Sequence, residues 1–140
     1  MASQTSGKDL MSIGDLIGKP YVRDCYDGTG FDCWSLIWWI YKNEKINLQT
    51  RSEVVWCVRD FAKEIRERTN SWQQVQYADR KWMDVLLFAT SRNMNTHVGM
   101  VLDKSRFIHT RPETGVVIGK FSKDIFSATI KKVYRYNGSN

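Results

Sequence analysis

Residues 33–40, Cys-Trp-Ser-Leu-Ile-Trp-Trp-Ile, constrain this chain more than any other stretch. A helix drawn through them is apolar on nearly every side until Lys42, so most of its circumference must be covered. The chain beyond Asn70 supplies a cover. The segments 83–90, 97–103, 106–110, 115–121 and 130–136 are short, rich in Val, Ile, Phe and Tyr, and separated by polar or glycine-containing turns. They predict an antiparallel meander. Helical patterns first and strands afterwards predict an α+β architecture in which the apolar helix packs on a sheet. With 140 residues the chain is of a length for one domain.

Upstream, residues 1–10 are small and polar and predict a flexible lead-in. A first helical turn is expected around Leu10 to Ile17, closed by Gly18 and Pro20. Residues 21–30 read as a loop. Thr29 or Asp32 is placed to cap the apolar helix. Thr50 with Glu53 forms a capping-box pattern ahead of Val54, Val55, Val58, Phe61, Ala62 and Ile65, which predicts a second, amphipathic helix.

The thiol of Cys33 sits where the polar loop meets the apolar run. A structural cysteine would serve equally well inside the run, because it packs as a small hydrophobe. At a helix start it lies among unpaired N–H groups and the positive end of the helix dipole, which favour thiolate. A thiolate nucleophile needs an imidazole within hydrogen-bond reach and a third group to orient that imidazole. The chain has two histidines, His97 and His109, in consecutive predicted strands. If Leu102 pairs with Arg106 across Asp103, Lys104 and Ser105, His109 falls opposite Gly99 with His97 diagonally adjacent. A slip by one residue would send the histidines to opposite faces. A zinc site built from the same Cys and two His is the competing arrangement, without a nearby fourth ligand.

Three cysteines, Cys25, Cys33 and Cys57, are an odd number at irregular spacing and form no CxxC signature. The net charge of +6 comes from Lys and Arg scattered among acids, which argues against a nucleic-acid groove. No stretch approaches the roughly 18 apolar residues of a membrane span, and the N-terminal residues lack the apolar core of a secretory signal.

Residues 18–36, 84–88, 97–110 and the subsequent Gly-Val-Val-Ile together resemble the NlpC family of papain-like cysteine peptidases, bacterial cell-wall endopeptidases. The ordered core of the likeness is Pro-Tyr, then Phe-Asp-Cys opening a helix, then His-Val-Gly, then Phe-Ile-His. The resemblance implies a papain-like fold with Cys33 as nucleophile, His97 as general base and later acid, and His109 orienting the imidazole. It places Tyr21 near the oxyanion or the substrate, Asp32, Trp34 and Ser35 beside the substrate groove, and Asp84 in a structural or turn-forming position. It implies peptidoglycan stem peptide as substrate, with a D-γ-glutamyl–diamino acid bond, and no metal or organic cofactor. Where the family commonly has Cys-Ser-Gly this chain has Cys33-Trp34-Ser35, and Asp24-Cys25 stand where Gly-Gly is common. Trp34 after the nucleophile resembles the phage-borne branch encoded among tail genes. That likeness, with no secretory signal, implies a virion location and tail-protein partners. The competing expectation is a catalytically silent component of a tail tip, and a third is a transferase in which an amine or alcohol resolves the thioester.

Overall fold

The computed structural model describes residues 12–48, 72–89 and 97–137. Two helices, α1 (Ile13–Leu16) and α2 (Cys33–Asn43), precede six strands: β1 (Trp72–Val75), β2 (Val85–Phe88), β3 (His97–Val101), β4 (Arg106–Arg111), β5 (Gly115–Lys120) and β6 (Ile130–Tyr136). Short 3-10 turns at Tyr77–Asp79 and Ile125–Thr129 lead into β2 and β6. Among the described residues no helix is long and apolar enough to cross a membrane. The predicted helix after Thr50, with Cys57, lies outside the described residues.

The first helix starts later than the sequence pattern predicts. Ser12 caps it: its hydroxyl accepts from Asp15 N–H while the Asp15 carboxylate accepts from Ser12 N–H, both at 3.2 Å. This reciprocal cap fixes the start at Ile13. Beyond it the chain runs against β5. Gly18 N–H donates to Val116 O and Val116 N–H donates to Lys19 O, each at 2.9 Å. Gly115, with φ of +70°, permits this approach, since a Cβ there would stand 2.4 Å from Lys19 O.

The strands form one antiparallel sheet in the order β1-β6-β2-β3-β4-β5. The predicted meander holds from β2 to β5. It fails at β6, which returns across the sheet to pair with β2 and leaves β1 at the far edge. Strand β1 was not foreseen, because Trp-Gln-Gln-Val lacks a run of β-favouring residues and is specified by its partner strand.

Helix α2 packs on β3 and β4. Its Leu36, Ile37 and Ile40 are buried with Val85, Leu87, Val98, Met100 and Ile108 from the sheet. Each such fully buried side chain contributes about 1.5–3 kcal/mol. The alternate residues of the strands form a second cluster on the other side, with Leu86, Phe88, Val101, Phe107, Phe121 and Val133. The sheet is therefore apolar on both faces.

Candidate active site

Asp32 organises the start of α2. Its Oδ1 accepts from Trp34 N–H (3.1 Å) and Ser35 N–H (2.8 Å), and Ser35 Oγ accepts from Asp32 N–H (2.9 Å). The other carboxylate oxygen, Oδ2, accepts from Asp24 N–H at 2.7 Å. One side chain thus pins both the helix and the loop before it. Of the two expected caps the structure uses Asp32; Thr29 turns instead to Asp27, with its hydroxyl and N–H both donating to Asp27 Oδ1.

These bonds change two expectations. Asp32 and Ser35, implied to flank a substrate groove, are both at 0% exposure and hold the helix start instead. Trp34 is also buried, at 5% exposure, within the α2 core. The amides of Trp34 and Ser35 are taken by Asp32 Oδ1, and that of Leu36 by Asp32 O at 3.1 Å. An oxyanion hole at this helix start therefore reduces, at most, to the amide of Cys33. The capping carboxylate also offsets the helix dipole.

Cys33 is the first residue of α2 and is 6% exposed. Tyr21 is half-buried and forms an isolated parallel bridge with Phe31, just ahead of the cap. Cys25 lies in the loop between them, where its thiol donates to Asp27 Oδ1 at 3.2 Å. Three donors, from Thr29 and Cys25, hold the exposed Asp27 carboxyl down at about 2.

The hairpin has the register derived from the sequence. Met100 pairs with Ile108 and Val101 with Phe107, and Leu102 N–H donates to Arg106 O at 2.9 Å. Asp103 sets the loop by accepting from Ser105 N–H and Arg106 N–H, each at 2.9 Å. Gly99 follows from this register. A Cβ there would meet Ile108 O at 3.0 Å, Phe88 at 3.1 Å and His109 Cβ at 3.2 Å.

His97 Nε2 and His109 Nδ1 are 2.9 Å apart. Phe88 flanks both rings, with centroids 4.9 Å from His97 and 5.9 Å, stacked, from His109. His97 is half-buried at the margin of the sheet, and His109 is buried. Strand alternation places both histidines on the face of the second cluster, whereas Cys33 belongs to the first. Burial pushes His97 far below the ordinary imidazole range, with His109 and Arg111 acting in the same direction. Burial also lowers His109, against the pull of the Asp124 carboxylate and with the help of Arg111. Both rings are neutral at pH 7.

Arg111 and Asp124 were not singled out in the sequence. The signal for Arg111 was present, since residues 107, 109 and 111 share one face of a strand. Asp124 follows β5 in a turn, where no periodicity points to it. Asp84 fits its expected structural place. Its buried carboxylate accepts from Arg135 Nε (2.9 Å), Arg135 Nη2 (2.8 Å) and Lys81 N–H (2.9 Å).

Residues 18–135 match the NlpC/P60 family. The chain belongs to the NlpC/P60 family. Similar solved structures include an NLP/P60 protein described as similar to lipoprotein from Staphylococcus aureus subsp. aureus Mu50, 24% identical with a TM-score of 0.61 over 86% of this chain and 37% of that one. An NlpC/P60 protein from Bacillus cereus ATCC 10987 is 22% identical with a TM-score of 0.66, over 88% of this chain and 37% of that one. The NlpC/p60 domain of the peptidoglycan hydrolase SagA is 22% identical with a TM-score of 0.58, over 87% of this chain and 91% of that one. The chain thus spans well under half of the first two proteins. At these identities the likeness establishes the α+β, papain-like fold. No curated protein sequence matches the chain.

Proposed function

We propose that this NlpC/P60 domain is a cysteine peptidase that hydrolyses an amide bond in the peptide stem of bacterial peptidoglycan. The finer reading is a D-γ-glutamyl–diamino acid bond, cut by a phage tail-associated protein carried in the virion during cell-wall penetration. The observation that carries the peptidase reading is the 2.9 Å bond between His97 Nε2 and His109 Nδ1, by which one imidazole orients the other at the margin of the sheet. Family membership and the name of the SagA relative support the substrate class. Trp34 and the sequence likeness to tail-encoded members support the phage reading.

The chemistry follows from the tautomers. With the proton of neutral His97 on Nε2 and donated to His109 Nδ1, the Nδ1 lone pair of His97 is the site that takes the thiol proton. Cys33 Sγ then attacks the amide carbonyl carbon, and the carbonyl oxygen gains the negative charge. As the C–N bond breaks, His97 returns the proton to the leaving amine and a thioester remains. Water attacks the thioester, giving its proton to His97, and the carboxylate product leaves as the thiol is restored. His109 stays neutral throughout, its Nδ1 accepting from His97.

The test is release of new amino groups from purified peptidoglycan in reducing buffer, with mass analysis of the fragments. The wild-type chain is expected to release them and Cys33→Ala to release none. Silence from both folded proteins would overturn the peptidase reading and favour a structural tail component. Alkylation adds a second check. Cys33 should react at neutral pH faster than Cys25 or Cys57, and His97→Ala should slow it by about tenfold or more.

A further inference from the structure

We propose that the end of the sheet remote from His97 is a docking surface for a phosphate-bearing glycan polymer of the cell wall, which holds the domain in place while stem peptides are cut. The proposal rests on the wall being the target, as in the reading above, and adds a second point of contact with it.

Three connections meet at that end. Arg80, just past the Tyr77–Asp79 turn, donates from Nη2 to Lys104 O (2.7 Å) in the β3–β4 loop, and Lys104 Nζ donates back to Ala78 O (2.9 Å). Phe121, leaving β5, donates from its N–H to Ser105 O at 2.9 Å. His97 opens β3 and the loop follows its end, so the length of that strand lies between His97 and this surface.

Arg80 is at its centre. Its Cζ lies 4.2 Å from the ring centroids of both Tyr77 and Phe121, and Nη1 donates to Tyr77 O at 3.0 Å. Both terminal nitrogens are thus bonded to carbonyls, and Nε is buried without a partner. Lys81, Lys104, Lys120 and Lys123 stand exposed around it. Among the described residues none of these five cations has an ion-pair partner. The nearby acids are engaged elsewhere. Asp103 is held by Arg106 at 2.9 Å, Asp79 lies beside Arg135, whose Nη2 donates to its carbonyl, and Asp124 carries its carboxylate over Gly119 on the sheet face.

The chemistry of the surface selects its partner. Tyr77 and Trp82 remain 43% and 39% exposed among these charges. Rings that present apolar faces beside cations match a chain in which sugar faces alternate with anionic groups. Lysine ammonium groups are mobile point charges and meet phosphates one at a time. An acidic peptide fits less well, because the guanidinium has both terminal nitrogens on carbonyls and no open fork for a carboxylate.

The experiment measures binding of the full chain by calorimetry to three soluble polymers of matched charge: glycosylated poly(glycerol phosphate), poly-L-glutamate and single-stranded oligothymidylate. The chain should prefer the first by about 10-fold or more, and that binding should weaken by about 10-fold between about 50 and 200 mM salt. K81Q/K123Q should weaken it by about 5- to 20-fold and W82A by about 3- to 10-fold, whereas K19Q, at the Gly115 end of the sheet, should stay within about twofold. In cleavage, K81Q/K123Q should slow release of amino groups from walls that carry the polymer but match the wild-type rate on a soluble stem peptide. Equal wild-type binding to the three polymers, unchanged binding by K81Q/K123Q and W82A, or equal slowing on both substrates would overturn the docking surface and leave the peptidase intact. Selective polymer binding with cleavage of neither substrate would support the docking surface and overturn the peptidase.

Discussion

Two polar pairs are built into the same sheet, and they are built in opposite ways. Asp84 and Arg135 form a forked ion pair between the turn before β2 and strand β6, with Lys81 N–H on the carboxylate and Asp79 O accepting from Arg135 Nη2. The fork fixes their geometry. His97 and His109 share a single hydrogen bond between neutral rings. The first pair resists change, while the second is held together by a proton whose position can move. A structural pair gains from permanence, and a pair meant to pass a proton gains from poise.

Breaking the ion pair should give the largest effect on folding. Asp84→Ala leaves Lys81 N–H and the part-exposed Arg135 without their carboxylate and is expected to cost about 1–3 kcal/mol, read as a lowered urea midpoint. In the histidine pair the loss should fall on rate. His109→Ala is expected to lower kcat/KM by about 100-fold or more, whereas His109→Gln, which keeps an acceptor for the His97 N–H, should retain most of it. Equal losses in the two variants would mean that the ring fills space and does not orient its neighbour.

A smaller effect should appear with pH. Both imidazoles are depressed in the folded chain from their ordinary value of 6.5, His97 to about 3 and His109 to about 4. Below about pH 6.5 the unfolded chain binds protons that the folded chain refuses. The histidine contribution to stability is therefore fully present above that pH and is lost as pH falls through about 4 towards 3. Urea midpoints at pH 7.5, 6.0, 5.0 and 4.5 should show the decline, and His109→Gln should flatten it. The smallest change is Gly99→Ala. Its methyl would press on Ile108 O, Phe88 and His109 at 3.0–3.2 Å, which should cost about 1 kcal/mol in the same measurement. No loss there would show that the two strands can part slightly around the pair.

Legibility in the sequence tracked the range of the interaction. The hairpin register could be read because strand parity and a three-residue loop are local, and Asp103 supplies the bonds that fix the loop. The capped cysteine was legible for the same reason. Two things were not. The insertion of β6 between β1 and β2 depends on contacts between residues some sixty apart in the chain, as in the Trp72–Tyr136 pair. The inward turn of Asp32 and Ser35 was hidden because a polar residue before a nucleophile looks the same whether it meets substrate or closes a cap. Only the hydrogen bonds distinguish the two.

The central place of β6 bears on the order in which the protein can be made. Strands β2 to β5 follow one another and can pair as they emerge from the ribosome, so the histidine hairpin is available early. Among the described strands, the slot beside β2 stays empty until β6 has been synthesised, and β1 has no described neighbour until then. Closing this long-range pairing carries the greater loop-closure cost and should be the slow event in refolding. During that interval an open β2 edge is exposed to other chains, and a chaperone or a stalled ribosome would encounter the domain with its histidine hairpin formed and its sheet still divided.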